Sequence, residues 1–213
     1  MTSKKSKNSK KSESKLYTDD HPTSSLKGTG FKDAQTANKT IGLIEKRSLK
    51  YQYDVVNTMF NRAKFHPHQT QEMIDAMKIF KKWLQDYKKK KEKEPDYKFL
   101  PLSTVLKYEK IAEEYGVSKV ARGLMPSTKT DEGFLKVYKK VQSPYKLQYI
   151  PVKKNKPQGQ DYYSFRNSFI KSRLGQMKAS KTPLFYTEGK YKGLPTKQHI
   201  ILIMYAYSPA HII

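Results

Sequence analysis

The apolar positions of this chain recur at helical spacing. Ala34, Ala37, Ile41 and Ile44 lie three and four residues apart, and Asp33 just before them is placed to cap a helix. Val56, Met59, Phe60 and Ala63 repeat the pattern behind Ser48, a second cap. His66-Pro67 ends that helix, because the residue before proline disfavours helical backbone. A third helix is predicted from about Gln69 to Lys89, with Met73, Met77, Phe80, Trp83, Leu84 and Tyr87 on one apolar face. Three amphipathic helices with short connections make a bundle, expected over residues 30–90.

The run Lys88 to Lys91 closes the third helix, where cations are favoured by the helix dipole. Residues 91–98 then read as a linker, and residues 99–213 as a second, α-rich unit. In that unit Ser103 is expected to cap a helix carrying Val105, Leu106, Ile111, Ala112 and Tyr115. Thr130 or Asp131 starts a short helix through Phe134, Leu135, Val137, Tyr138 and Val141. Asp161 caps a long one with Phe165, Phe169, Ile170, Leu174 and Met177 inward. Leu184-Phe185-Tyr186 and Tyr191, separated by Gly189, predict a small β-hairpin. Thr196 caps a closing helix through Ile200, Ile201, Ile203, Met204 and Tyr207. It is too continuously apolar to be exposed and is the predicted centre of the C-terminal core. The expected fold class is mainly α: a small N-terminal three-helix bundle followed by a basic α-rich unit with a small β-hairpin.

Composition agrees with two small units. Hydrophobic residues make up 36% of the 213 positions and charged residues 29%, too polar a balance for one large core. Aromatic residues, at 12%, argue against wholesale disorder. The chain has no cysteine, which excludes disulfides, thiolate metal sites and a cysteine nucleophile, and suits a reducing compartment. Residues 1–29, where lysines alternate with Ser and Asn, read as a disordered basic arm. The basic start meets no apolar stretch of the secretory type. The longest apolar run, Ile200 to Tyr207, is far short of the roughly 20 residues a membrane span needs.

Charge changes the picture most. Against 19 acidic residues stand 43 basic ones, a formal net charge of +24. From Gly133 onward there are fifteen basic residues and two acids, Asp161 and Glu188. Such a field concentrates polyanions, and nucleic acid is the first partner to consider. Lys153, Lys154 and Lys156 occupy a Pro- and Gly-containing loop with Tyr145 and Tyr149 nearby; we read the lysines as phosphate contacts and the tyrosines as anchors to a core. Arg166, Lys171, Arg173 and Lys178 fall on the helix after Asp161 with no acid among them. A solvated face usually mixes charge signs, so that helix is the preferred phosphate-contacting element.

Ala112, Gly116, Val117 and Ser118 match the turn of a helix-turn-helix, in which a helix from Ser118 offers Lys119 and Arg122 to a duplex. A helix ending in a glycine cap accounts for the same residues, and Gly123 and Pro126 leave the second helix one or two turns at most. No catalytic motif is found. His66-Pro67-His68 lacks a third metal ligand and reads as an interhelix turn, and His199 reads as a core or capping histidine. No cofactor is expected.

Gly193-Leu194-Pro195-Thr196-Lys197-Gln198-His199 through Ala206-Tyr207-Ser208-Pro209 resembles the C-terminal signature of uncharacterised basic proteins of large DNA viruses and some phages. Gly116 to Arg122 with Gly133-Phe134-Leu135 fits the same pattern, as do Gly30 to Ala34 and Asn57 to Lys64. The resemblance implies a viral context, within the host cell and in the virion, and supplies no activity. The expected function is non-enzymatic binding of nucleic acid, DNA ahead of RNA, through its phosphate backbone with low sequence specificity. Capsid or other virion proteins are further partners, and no membrane partner is expected. The alternative is a structural virion or assembly protein whose basic face meets acidic partners or packaged genome.

Overall fold

Local sequence decides the helix ends on the N-terminal side. The structure, a computed structural model, describes residues 26–141 and 143–212. Helix α1 (Ala34–Ile44) starts behind Asp33, whose carboxylate accepts the Thr36 N–H at 2.7 Å. Helix α2 (Leu49–Lys64) follows Ser48 and stops just before His66-Pro67. Helix α3 (Gln71–Glu92) is capped by Thr70 and carries the lysine run to Lys91 on formed helix. The three pack on one another and bury Ala37, Ile44, Tyr51, Val56, Ala76, Phe80 and Trp83 in one core. Leu26, inside the stretch expected to be an arm, is buried in that core as well, and Thr40 hydrogen-bonds both backbone groups of Gly30. The remainder of the expected arm, residues 1–25, lies outside the described residues.

The second core is centred on helix α7 (Lys197–Met204), whose residues Ile200 to Met204 are all buried. Helices α4 (Leu102–Glu114) and α6 (Tyr162–Ala179) pack against it, with α5 (Phe134–Tyr138) and a 3-10 helix, Pro144–Tyr149, completing the unit. Asp161 caps α6 by accepting the Ser164 N–H at 2.7 Å, and Thr196 caps α7 through the His199 N–H. His199 itself is buried: one ring nitrogen lies 3.0 Å from the Leu184 carbonyl and the other 2.8 Å from Ser208 Oγ.

Four expectations are corrected here. Helix α4 is capped two residues earlier than expected, by Pro101 rather than Ser103, and opens at Leu102, because Pro101 supplies a preset φ and has no N–H to satisfy. Helix α5 starts behind Gly133, not at Thr130 or Asp131, since Asp131 is committed to the neighbouring loop by its N–H to Val152 O (2.8 Å) and its carboxylate to Lys154 N (2.5 Å). The helix-turn-helix reading fails. Helix α4 ends in a Schellman motif, with Val117 N–H on Ala112 O and Gly116 N–H on Glu113 O, both 2.9 Å, and Gly116 at φ +63°. Residues 119–123 then form turns rather than a second helix.

The β-hairpin is likewise absent: no strand occurs among the described residues. A single antiparallel bridge joins Phe185 to Pro195, and Tyr186 exchanges hydrogen bonds with Gly193 and Leu194. Pro195 has no N–H to extend a ladder, and Gly189 and Gly193, both at positive φ, keep the chain turning between the two arms. The class is mainly α, without the hairpin.

Candidate nucleic-acid interface

The basic residues named from sequence divide into two groups. The guanidinium of Arg166 is fully buried. Its Nε donates to Tyr205 O (2.9 Å), Nη1 to Tyr97 O (3.0 Å) and Asn167 Oδ1 (2.9 Å), and Nη2 to Lys98 O (3.3 Å) and Ala206 O (3.0 Å). All five N–H groups are used, and the cation lies 3.6 Å from the Phe99 ring centre. Burial lowers its pKa to about 10, so it stays charged at neutral pH. Arg166 joins α6 to the carbonyls behind α7 and to residues 97–98; it is no phosphate contact. Arg122 is corrected in the same way: its side chain is buried, with one nitrogen 3.6 Å from Glu113. Arg173 is half-buried, donates to Gln198 Oε1 at 2.9 Å and lies over Phe169.

The lysines are placed differently. Lys171 and Lys178 are exposed on α6, seven residues and two turns apart, about 10 Å along the axis. Beside them the solvent face of α6 carries Ser168, Ser172, Gly175 and Ala179, all exposed and all small, with no acid. Lys154 and Lys156 are exposed and Lys153 half-buried on the loop before α6. That loop is held by Val152 N–H to Gln160 O (2.9 Å), Lys156 N–H to Lys153 O (3.0 Å) and Gly159 N–H to Lys156 O (2.9 Å). Among the described residues no carboxylate pairs with the ammonium groups of Lys153, Lys154, Lys156, Lys171 or Lys178. The nearby Asp131 carboxylate is instead occupied by the Lys154 backbone N–H. Lys119 is exposed on the turn after α4.

The acid-poor stretch in sequence is not acid-free in space. Lys136 (3.2 Å) and Lys140 (2.8 Å) both pair with Glu132, and Lys139 pairs with Glu109 (2.9 Å). Those two lysines hold the Glu132 carboxyl below its ordinary range. The cations on and just after α5 are therefore largely neutralised from within, whereas the exposed lysines of α6 and its preceding loop are not.

Arg47 is the residue that sequence reasoning missed. It is buried between the two units, with Nε 3.3 Å from Asp161, Nη1 2.7 Å from Pro157 O and Nη2 2.8 Å from Gln148 O, its guanidinium over Tyr51. Asp161 thereby does two jobs, capping α6 through one oxygen and receiving Arg47 and the Ser48 N–H (2.7 Å) on the other. Burial pushes the Asp161 carboxyl up, and the N–H groups of Ser164 and Ser48 together with Arg47 oppose that shift. The sequence carries no local signal for this joint: Glu45 and Lys46 of the same short loop are exposed, and the hydrogen-bond acceptors of the Arg47 side chain lie more than a hundred residues away.

Among the described residues no three His, Asp or Glu side chains converge as a metal site, and no helix is long and apolar enough to cross a membrane. His66 and His68 form the α2–α3 turn, where His66 Nδ1 accepts the His68 N–H at 3.2 Å. No protein-family model matches the chain, and no curated protein matches it.

Proposed function

We propose that this protein binds nucleic acid through the phosphate backbone, with low sequence specificity and duplex DNA ahead of RNA, in a viral setting. The observation that carries this reading is the set of exposed lysines with no carboxylate partner: Lys171 and Lys178 beside the small residues of α6, and Lys154 and Lys156 on the loop that leads into it. Small side chains let a rigid polyanion approach the helix closely, while flexible ammonium groups reach phosphates without demanding one base sequence. Lys153, half-buried on the same loop, and Lys119, exposed on the turn after α4, carry less of the argument. Neither arginine of α6 takes part. The viral setting rests on the resemblance of residues 193–209 described above, and a virion or assembly role with an acidic protein partner is the competing outcome.

The test is a salt titration of duplex DNA binding, with the full chain and with a variant carrying Lys154→Gln, Lys156→Gln, Lys171→Gln and Lys178→Gln. Each phosphate contact releases about 0.9 counterion on B-form DNA, so the variant's log–log slope is expected to flatten by about 3 to 4. A slope unchanged by the four substitutions, or no wild-type binding at low salt, overturns the reading. Tight salt-sensitive binding to an acidic protein but not to DNA supports the assembly role instead.

A further inference from the structure

Helix α3 bears a second set of cations that the reading above leaves unused. Its buried stripe is Ala76, Phe80 and Trp83, turned toward α1 and α2. On the opposite side Lys78, Lys81, Lys82, Lys88 and Lys89 are all exposed. Lys81 and Lys82 recur as Lys88 and Lys89 seven residues later, so two pairs of ammonium groups stand two turns apart, about 10 Å along one ridge.

Ordinary explanations cover the ends of this ridge and not its middle. Lys78 pairs with Asp75 at 2.8 Å, and Lys90 lies over the Trp83 ring. Lys89, Lys90 and Lys91 occupy the last turn, where the dipole favours them. That effect fades within one turn, so it does not reach Lys81 and Lys82, which lie nearly three turns from the end. Among the described residues no carboxylate is within ion-pair distance of Lys81, Lys82, Lys88 or Lys89, although Asp86 and Glu92 follow Lys82 and Lys88 by four residues on the same helix. Lys81, Lys82, Lys88 and Lys89 therefore stand unpaired and available to an outside anion.

We infer that the α3 ridge is a second phosphate-binding surface, and that the protein bridges two nucleic-acid segments, one on α3 and one on α6 with its loop. This rests on the proposed function and adds a second site to it. Each surface faces away from its own core, α3 from the N-terminal one and α6 from the C-terminal one. The buried Arg47–Asp161 pair joins the two units, so both surfaces travel together. Charge complementarity selects the occupant: a rod of regularly spaced phosphates matches a straight row of lysine pairs.

The experiment is a sandwich capture at low salt with the full chain. A duplex of about fifteen base pairs is immobilised, the protein is bound to it, excess is washed away, and a second, fluorescent duplex is added. The wild type is expected to retain the second duplex. A ridge variant with Lys81→Gln, Lys82→Gln, Lys88→Gln and Lys89→Gln is expected to bind the first duplex within about threefold of wild type and to lose at least tenfold of the capture. That variant keeps every basic residue of positions 1–25, and a matching thermal melt confirms its fold. Wild-type binding of the first duplex without capture of the second overturns bridging and leaves the single-site reading standing, as does capture that persists in the ridge variant. Failure of the wild type to bind even the first duplex overturns both. Selective binding of an acidic protein by the ridge, with no DNA capture, also overturns bridging.

Discussion

The two cores of this protein use polar groups in opposite ways. The core of α1, α2 and α3 is lined by apolar side chains on long helices, whose backbone groups are satisfied within the helices themselves. The core around α7 is assembled from shorter helices and long irregular segments, and it contains Arg166, Arg122, Asp161, Gln148, Thr130, Thr196 and His199. Irregular segments carry carbonyls with no helical partner, and a buried carbonyl without a donor is costly. An arginine has five donors in one plane, which is why Arg166 and Arg47 are drawn inward while the lysines, compact and strongly hydrated, stay in water. Positive charge in this chain is thus two materials: arginine as internal framework and lysine as external surface.

Removing Arg166 tests that contrast most severely. Arg166→Met would take the donor away from the Tyr205, Tyr97 and Lys98 carbonyls, while Ala206 O keeps the Leu100 N–H, and is expected to lower stability by about 4 kcal/mol, read from urea unfolding. A variant that folds with wild-type stability but binds DNA more weakly would reverse the assignment and return Arg166 to the surface. Next in size is the joint between the units. Arg47→Met leaves the Asp161 carboxylate buried without its cation and is expected to cost about 3 kcal/mol and to separate unfolding of the two cores into two transitions. One sharp transition, unshifted, would mean that the cores do not depend on this pair.

The smallest effect is a pH dependence confined to the polar core. Burial lowers the pKa of His199 below its ordinary value of about 6.5, so the unfolded chain binds a proton that the folded chain resists. Stability is then expected to rise with pH up to about 6.5 and to fall as the solution is acidified below it, by on the order of 1 kcal/mol between pH 7 and 5. His199→Asn should flatten that fall, whereas the N-terminal core should show none of it by site-resolved hydrogen exchange. An equal acid loss in wild type and variant would assign the dependence elsewhere.

Helix α6 shows where reading from sequence succeeded and where it stopped. Its start at Asp161 was legible because a cap is a bond within three residues. Its charge does not share one face: Arg166 and Arg173 leave the face of Lys171 and Lys178. At about 100° per residue, the two arginines project about 140° away from the two lysines, toward the packed side. That much was available in the spacing. What the spacing could not supply was a reason for arginine to be inside, since the carbonyls of Tyr97, Lys98, Tyr205 and Ala206 reach Arg166 from positions 39 to 69 residues away. The hairpin fails for a related reason: Pro195 has no N–H for the ladder, and Gly189 and Gly193, at positive φ, turn the chain out of extended pairing.

By itself the sequence determined the helices and most of their starts, the unbroken burial of α7 and the surplus of positive charge, because apolar period, capping residues and composition act over a few neighbours or over none. Only the tertiary structure decided which cations remain outside. Glu109 and Glu132 neutralise the lysines of α5, Asp161 receives Arg47 from 114 residues away, and Arg166 is surrounded by distant carbonyls. A charge is free or spent according to what lies within a few ångströms of it, and that is a property of folded space rather than of chain order.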